Sequence, residues 1–183
     1  VTTNSKNAGQ RGVGLVEVLI TLIVIAVGLL GMAALQARGQ LAELESYQRA
    51  QALILLEDMA NRMNANRPFR DCYDLSATGI SYVGAGVEFT RTGCNVRSDD
   101  DLEAWDQLLK GAGETLDGDQ VGAMIGARGC ILGLGNNLFE VSVAWQGLSP
   151  TVAPAGNTCA EDLYGDETQR RVVSRTIRYA TLN

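Results

Sequence analysis

The sequence predicts an α+β fold, with one long N-terminal helix packed against a small antiparallel β-sheet head that carries disulfides. Three observations predict it. The stretch from Val13 to Asn66 contains no proline, and its apolar residues recur at helical spacing. The segments 138–146 and 172–182 alternate apolar and polar residues, which is the period of a half-buried strand. Four cysteines all lie C-terminal to the apolar part of the helix. Strands laid on the apolar stripe of one helix give the α+β class.

The chain averages conceal this division. The 183 residues are 46% apolar and 20% charged, with a mean hydropathy of +0.02, as in an ordinary soluble domain. Yet residues 13–37 hold a single charge, Glu17. The net charge of −6 is divided too: residues 1–12 carry Lys6 and Arg11 and no acid, while residues 38–183 carry 13 basic and 20 acidic residues, or −7. An acidic body argues against a nucleic-acid partner. Histidine is absent, which removes imidazole bases, Ser-His-Asp and Cys-His catalysis, and every His-containing metal site.

The first element is the helix. A short basic stretch ends at Gly12, and Val18–Leu35 then runs for 18 residues without a charge. A bilayer needs roughly 20 such residues. Lys6 and Arg11 on its N-terminal side predict a cytoplasmic N-terminus and an exported C-terminus. A cleaved secretory signal ending near Gly31–Ala34 is the alternative. It is opposed by Glu17 near the start of the run and by helical periodicity that continues past the run.

Glu17 carries the most information. An acid near the middle of a membrane helix costs roughly 2.5–3.5 kcal/mol, so it calls for a partner. The apolar run offers no cation. Cleavage after Gly12 would create an α-amine at Val13 that could serve, from the same chain or from a neighbour shifted along the axis. An interfacial carboxylate among head groups is the other reading. Gly28 and Gly31 allow either close helix–helix approach or local unwinding, or are ordinary membrane-helix glycines.

The amphipathic half follows, with a stripe of Leu41, Leu44, Ala52, Leu55, Met59 and Met63 between charged flanks. Asn64, Asn66 and Pro68 predict its end. A helix of this length spans about 80 Å at ~1.5 Å per residue. Residues 68–97 predict short strands or irregular connection, with candidate strands near Ile80–Val83 and Val87–Arg91. A second helix is expected over 99–110, with Ser98 and Asp101 as a capping-box-like start and Lys110-Gly111 as its end. The Asp99–Asp101 triplet could instead suggest calcium, but it lacks the glycine and terminal glutamate of such a loop, and capping accounts for the acids. Residues 111–135 hold 8 of the 21 glycines and predict loop and edge strand. The strand at Leu138–Gln146 puts Phe139, Val141, Val143 and Trp145 on one face.

Cys72, Cys94, Cys130 and Cys159 are separated by 22, 36 and 29 residues, with no close pair for zinc. An even count on the exported side favours disulfides. Of three possible connectivities, Cys72–Cys94 with Cys130–Cys159 is favoured because sequential pairing closes local loops. No cofactor or metal is implied. Acid pairs such as Asp117 and Asp119 sit in a polar glycine-rich loop, and no nucleophile–base pair or phosphate loop marks an enzyme.

The run Gly12-Val13-Gly14-Leu15-Val16-Glu17-Val18-Leu19-Ile20 resembles the processing signal of type IV pilins and pseudopilins. The stretches 26–32, 51–67, 139–148 and 170–173 resemble PilV-type minor pilins. The resemblance implies a leader at 1–12, cleavage between Gly12 and Val13 by the prepilin peptidase, and N-methylation of Val13. Phe is usual after the cut in this family, and Val stands there in this chain. The resemblance also implies that Glu17 pairs with the amine of an adjacent subunit and sets its register. It implies a filament-core half at 13–37, an amphipathic half at 38–67 and a periplasmic head at 68–183. Expected partners are other minor pilins, the major pilin, an inner-membrane assembly platform and, before assembly, lipid. A type II secretion pseudopilin shares the same signal.

Overall fold

The computed structural model describes residues 14–113, 115–116, 119–120 and 124–180. The chain divides into two compact units, Val1–Glu43 and Leu44–Asn183. Helix α1, Leu15–Ala65, contributes to both. Its first turn is fixed by the Gly14 carbonyl, which accepts from the N–H of Glu17 at 2.9 Å and of Val18 at 3.4 Å. The acid Glu17 in the first turn and Arg62 in the last both suit the helix dipole. The helix stops where the sequence places Asn66 and Pro68. Asn66 is buried there and donates to the Tyr73 hydroxyl at 3.1 Å and to Asn95 Oδ1 at 3.2 Å.

The first unit is helix alone over its described residues, and every one of residues 14–43 is exposed. The second unit has its own core. Ala52, Leu56, Met59, Ala60 and Met63 of α1 are buried in one cluster with Trp105, Val141, Val143 and Ile177. The buried stripe therefore differs from the expected one. Leu41 and Leu44 are exposed, Leu55 is half-buried, and Leu56 and Ala60 complete the line. The core cluster engages α1 only from Ala52 onward.

Residues 67–73 and 76–78 form short 3-10 turns. Of the two expected early strands, the first survives as two residues, β1 at Val83–Gly84, and 87–91 forms none. Helix α2 is Val96–Leu109. It starts three residues earlier than expected, because Asn95 is the cap. Its Oδ1 accepts the Ser98 N–H at 3.1 Å, and Ser98 Oγ donates back to the Asn95 carbonyl at 2.8 Å. The side chain that caps best locally displaced Ser98 from that role.

After α2 come the two-residue strands β2 (Thr115–Leu116) and β3 (Asp119–Gln120), which pair only with each other. The main sheet adds β4 (Arg128–Gly135), β5 (Leu138–Gln146) and β6 (Arg170–Arg178) in the antiparallel order β1-β4-β5-β6. The β4–β5 turn uses Asn136 and Asn137 at φ 51° and 59°, left-handed values that asparagine tolerates. The glycine-rich segment thus supplies an interior strand over part of its length, not only an edge.

One contact sets the packing of α2 between helix and sheet. Trp105 is fully buried, and its indole Nε1 donates to the Leu55 carbonyl of α1 at 2.9 Å. Its ring lies against Gly129 of β4, where a Cβ would come within 2.4 Å of the ring. The other sheet face carries a small second core of Ala144, Cys159, Ala160 and Tyr164. Ser142 and Ala144 are buried on that face.

Asp99 links α2 to the loop before it. Burial pushes its carboxyl up, but donation from the Thr92 hydroxyl and from the N–H groups of Thr92 and Gly93 outweighs this and holds it below the ordinary value of 3.8. A depressed carboxyl stabilises the fold above its unfolded pKa and loses that stabilisation as pH falls through its folded one. Asp99→Asn is therefore expected to lower the melting temperature at neutral pH and to reduce the drop seen on acidification. Melting curves taken from neutral pH to below pH 3.8 check this. Gly129→Ala is expected to cost about 1–3 kcal/mol in denaturant unfolding through overpacking against Trp105.

Candidate functional site

The chemistry legible in the sequence lies at the start of α1. Gly12 and Val13 are outside the described residues, so the geometry begins at Gly14. Glu17 sits in the first helical turn, exposed, and among the described residues no ion pair forms at it. Nearby, Thr21 Oγ1 donates to the Val18 carbonyl at 2.8 Å, so its hydroxyl is satisfied by the helix itself. Within α1 an 18-residue apolar window has no buried residue, and the helix is long and apolar enough to cross a membrane. Leu15 and Leu30 are 79% and 71% exposed. A Cβ at Gly14, Gly28, Gly31 or Gly39 would meet nothing within 4 Å. Neither Gly28 nor Gly31 is needed for packing within the described chain, and α1 shows no break at them.

The other singled-out residues lie in the second unit. Disulfides join Cys72 to Cys94 and Cys130 to Cys159, with Cα–Cα distances of 5.6 and 5.8 Å. The first ties the 3-10 turn after α1 to the loop before α2. The second ties β4 to the long loop before β6. The acidic triplet is engaged by protein partners. Asp99 holds the preceding loop, and Asp100 pairs with Arg91 at 2.7 Å. Asp101 accepts from the Tyr73 hydroxyl at 2.6 Å and pairs with Arg62 at 3.2 Å. Burial and then that bond to Asp101 raise the Tyr73 phenol above its ordinary range. Asp117 and the side chain of Asp119 lie outside the described residues.

Several anchoring residues had no signal in the sequence. Glu45 of α1 accepts at Oε1 from the N–H groups of Leu148 and Ser149, both at 3.1 Å, and pairs with Arg171 of β6 at 3.2 Å. Glu57 pairs with Arg175 of the same strand. Asp106 is fully buried and takes the Gly84 N–H at 2.8 Å and Lys110 Nζ at 2.7 Å. Arg170 is buried and donates to Glu167 and to the carbonyls of Asn157 and Cys159. In sequence these look like ordinary surface charges: the Asp106–Lys110 and Glu167–Arg170 pairs are local, and the other partners lie on distant elements.

Residues 7–33 match the model of the prokaryotic N-terminal methylation motif. The matched span covers Glu17, Gly28 and Gly31 as well as the positions of the expected cut. The motif supports a type IV pilin or pseudopilin, a structural subunit processed by the prepilin peptidase and assembled with other pilins. No curated protein and no solved structure matches the chain. The long apolar helix, the four-stranded antiparallel sheet and the two disulfides make an α+β pilin-like fold. The helix and the motif together fit membrane anchoring and a pilus.

Because the added methyl groups meet open space, Gly28→Ala and Gly31→Ala are expected to leave head unfolding unchanged within about 0.5 kcal/mol. Any larger effect should appear only in assays of association between chains. Thermal melts of the full chain in detergent, set beside a filament-incorporation assay, separate the two.

Proposed function

We propose that this chain is a minor pilin of a type IV pilus. The observation that carries the reading is an N-terminal methylation motif on an apolar helix that no described residue covers, joined to a head with its own core. In this reading residues 1–12 are the leader. The prepilin peptidase cuts between Gly12 and Val13 and methylates the new Val13 amine. The bilayer holds the subunit through the first half of α1, with the N-terminus cytoplasmic and the head periplasmic. An inner-membrane assembly platform then moves it into the filament, beside other minor pilins and the major pilin.

The work is physical. Apolar area leaves lipid and is buried again against other helices, so filament growth needs no covalent step between subunits. Head-to-tail contacts that do not close build a helical filament. Glu17 supplies directionality. A carboxylate in an apolar surround is costly unless a cation faces it, and the α-amine of a neighbouring Val13 is such a cation. Only one axial offset brings the two together, so the pair selects register. As a subunit that helps prime assembly, the chain influences pilus number, adhesion and twitching motility.

The N-terminus is the first test. In cells with a prepilin peptidase, peptide mapping should find the mature chain starting at Val13. A start at or after Ala34 would refute the pilin reading and leave an ordinary secreted protein. Glu17→Ala is expected to stay in the membrane and to fall at least tenfold in sheared filaments, the measure of a lost pair worth about 1.4 kcal/mol or more. Mass spectrometry of the neighbours in those filaments distinguishes a pilus from a secretion-system pseudopilus.

A further inference from the structure

The outer edge of β6 is open, and its geometry specifies what it can take. The Tyr179 N–H donates to the Asn137 carbonyl at 2.9 Å, and the Gly147 N–H donates to the Gln169 carbonyl at 2.7 Å. Odd-numbered residues of this strand therefore turn their backbone groups toward β5. Even-numbered residues turn theirs away. The Thr168 carbonyl shows the same sense, accepting the Thr151 N–H at 2.8 Å on the outer side. Residues 172, 174, 176 and 178 thus present N–H and C=O groups outward. Among the described residues none bonds to them.

An open edge of this length is normally guarded by charge, proline or a bulge. This one is not. No proline occurs in 170–178, and its pairing with β5 runs without a register shift. The strand carries four arginines, but three are drawn off the edge: Arg170 to Glu167, Arg171 to Glu45 and Arg175 to Glu57. The edge positions are Val172, Ser174 and Thr176, uncharged and suited to a strand. Arg178 at the far end is exposed, and among the described residues it has no ion pair.

The same edge of a second copy is a poor match, since residues 170–178 hold four arginines and no acid and so offer Arg178 no carboxylate. Glu45 meets Arg171, Glu57 meets Arg175 and Arg67 meets the Ala180 carbonyl, so β6 runs in the direction of α1. Symmetric antiparallel pairing of two β6 edges would set two arginine-rich strands side by side with no acid to pair them. Symmetric parallel pairing fails on parity. It would align each residue with its own copy, whereas a parallel ladder needs an outward-facing residue opposite an inward-facing one.

We propose that the β6 edge over 172–178 receives an extended strand from a different protein chain, uncharged along its length and carrying a carboxylate at the end that meets Arg178. Main-chain hydrogen bonds supply the affinity, and the charge at Arg178 sets which end of the incoming strand lies there. The test uses the full chain in detergent micelles and two synthetic peptides of alternating Val and Thr, one ending in Glu and one in Lys. Amide hydrogen exchange is followed by NMR.

The Glu-ended peptide should slow exchange at residues 172, 174, 176 and 178 and bind about two- to fivefold more tightly than the Lys-ended one. Ser174→Pro removes an outward donor at a position where an edge tolerates proline, so binding should fall about tenfold while the melt is kept. Arg178→Glu, which touches no backbone group, should reverse the peptide preference and tests the same claim if Ser174→Pro folds poorly. The proposal is overturned if neither peptide slows those amides, or if a folded Ser174→Pro binds as the parent does. Amides already slow without peptide and faster on dilution would mean self-pairing, and would also overturn it. Failure of the pilin reading is read separately, from the mature N-terminus.

Discussion

The structure depends on how one helix finds cover for its side chains. Every backbone group inside α1 is satisfied by the helix, so the whole length is free to enter a medium without water. Its side chains divide it. From Ala52 onward, one face closes the core of the second unit. Before that, Leu15–Leu35 exposes apolar side chains with nothing in the described chain against them. A soluble protein rarely exposes contiguous apolar area on this scale. The polar loops, the acidic surface and the disulfides of the head are compatible with water outside. The uncovered half of α1 is long and apolar enough to fit lipid or other apolar helices.

The head holds its form through a few polar contacts in an otherwise apolar core. Asp106 and Arg170 are both buried, yet each is paired and hydrogen-bonded, which is the condition under which a buried charge is tolerated. Asp106 fixes β1 to α2, and Arg170 fixes the long loop that leads from β5 into β6. Glu45 and Glu57 bind β6 to α1 at two points along the strand. These contacts do more to set position than to add stability, since the half-exposed pairs are worth about 0–1 kcal/mol each in water. The disulfides close the two regions that helix and sheet leave loose, the turn after α1 and the loop before β6.

Local pattern made part of this legible in the sequence. The long helix, its stop before Pro68, the strand Leu138–Gln146 and its inward residues follow from periodicity and from proline's missing donor. The processing signal is a contiguous motif and needs no fold to be seen. What stayed hidden depends on distant partners. Leu41 and Leu44 belong to the same periodic stripe as Met59, and only the placement of α2 and the sheet decides which of them is buried. The cap of α2 fell to Asn95 rather than Ser98 because both are capping residue types three positions apart. The alternation of Leu138–Gln146 does not show that Ser142 and Ala144 are covered, because the loop around Cys159 that lies over them is distant in sequence. Arg171 finds Glu45 across 126 residues, a separation at which a single sequence carries no signal.

The energies of the two units also constrain how such a subunit could move. Burying one large apolar side chain is worth roughly 1.5–3 kcal/mol, so exposing even a dozen of those on Leu15–Leu35 to water would cost at least about 18 kcal/mol. A domain of the head's size is held by about 5–15 kcal/mol. Withdrawing the helix into water would therefore cost more than unfolding the head. A subunit pulled from the bilayer with no apolar surface to receive it would collapse or aggregate before it reached a filament. Extraction and re-burial have to proceed together, each turn of α1 passing from lipid to a neighbouring helix. In the proposed filament Glu17 sharpens that requirement, because its carboxylate sits at the N-terminal end of the apolar run, where the proposed pairing would distinguish a correctly placed neighbour from any other apolar surface. In that proposal hydrophobic area supplies the affinity of the assembly, and a single charge supplies its register.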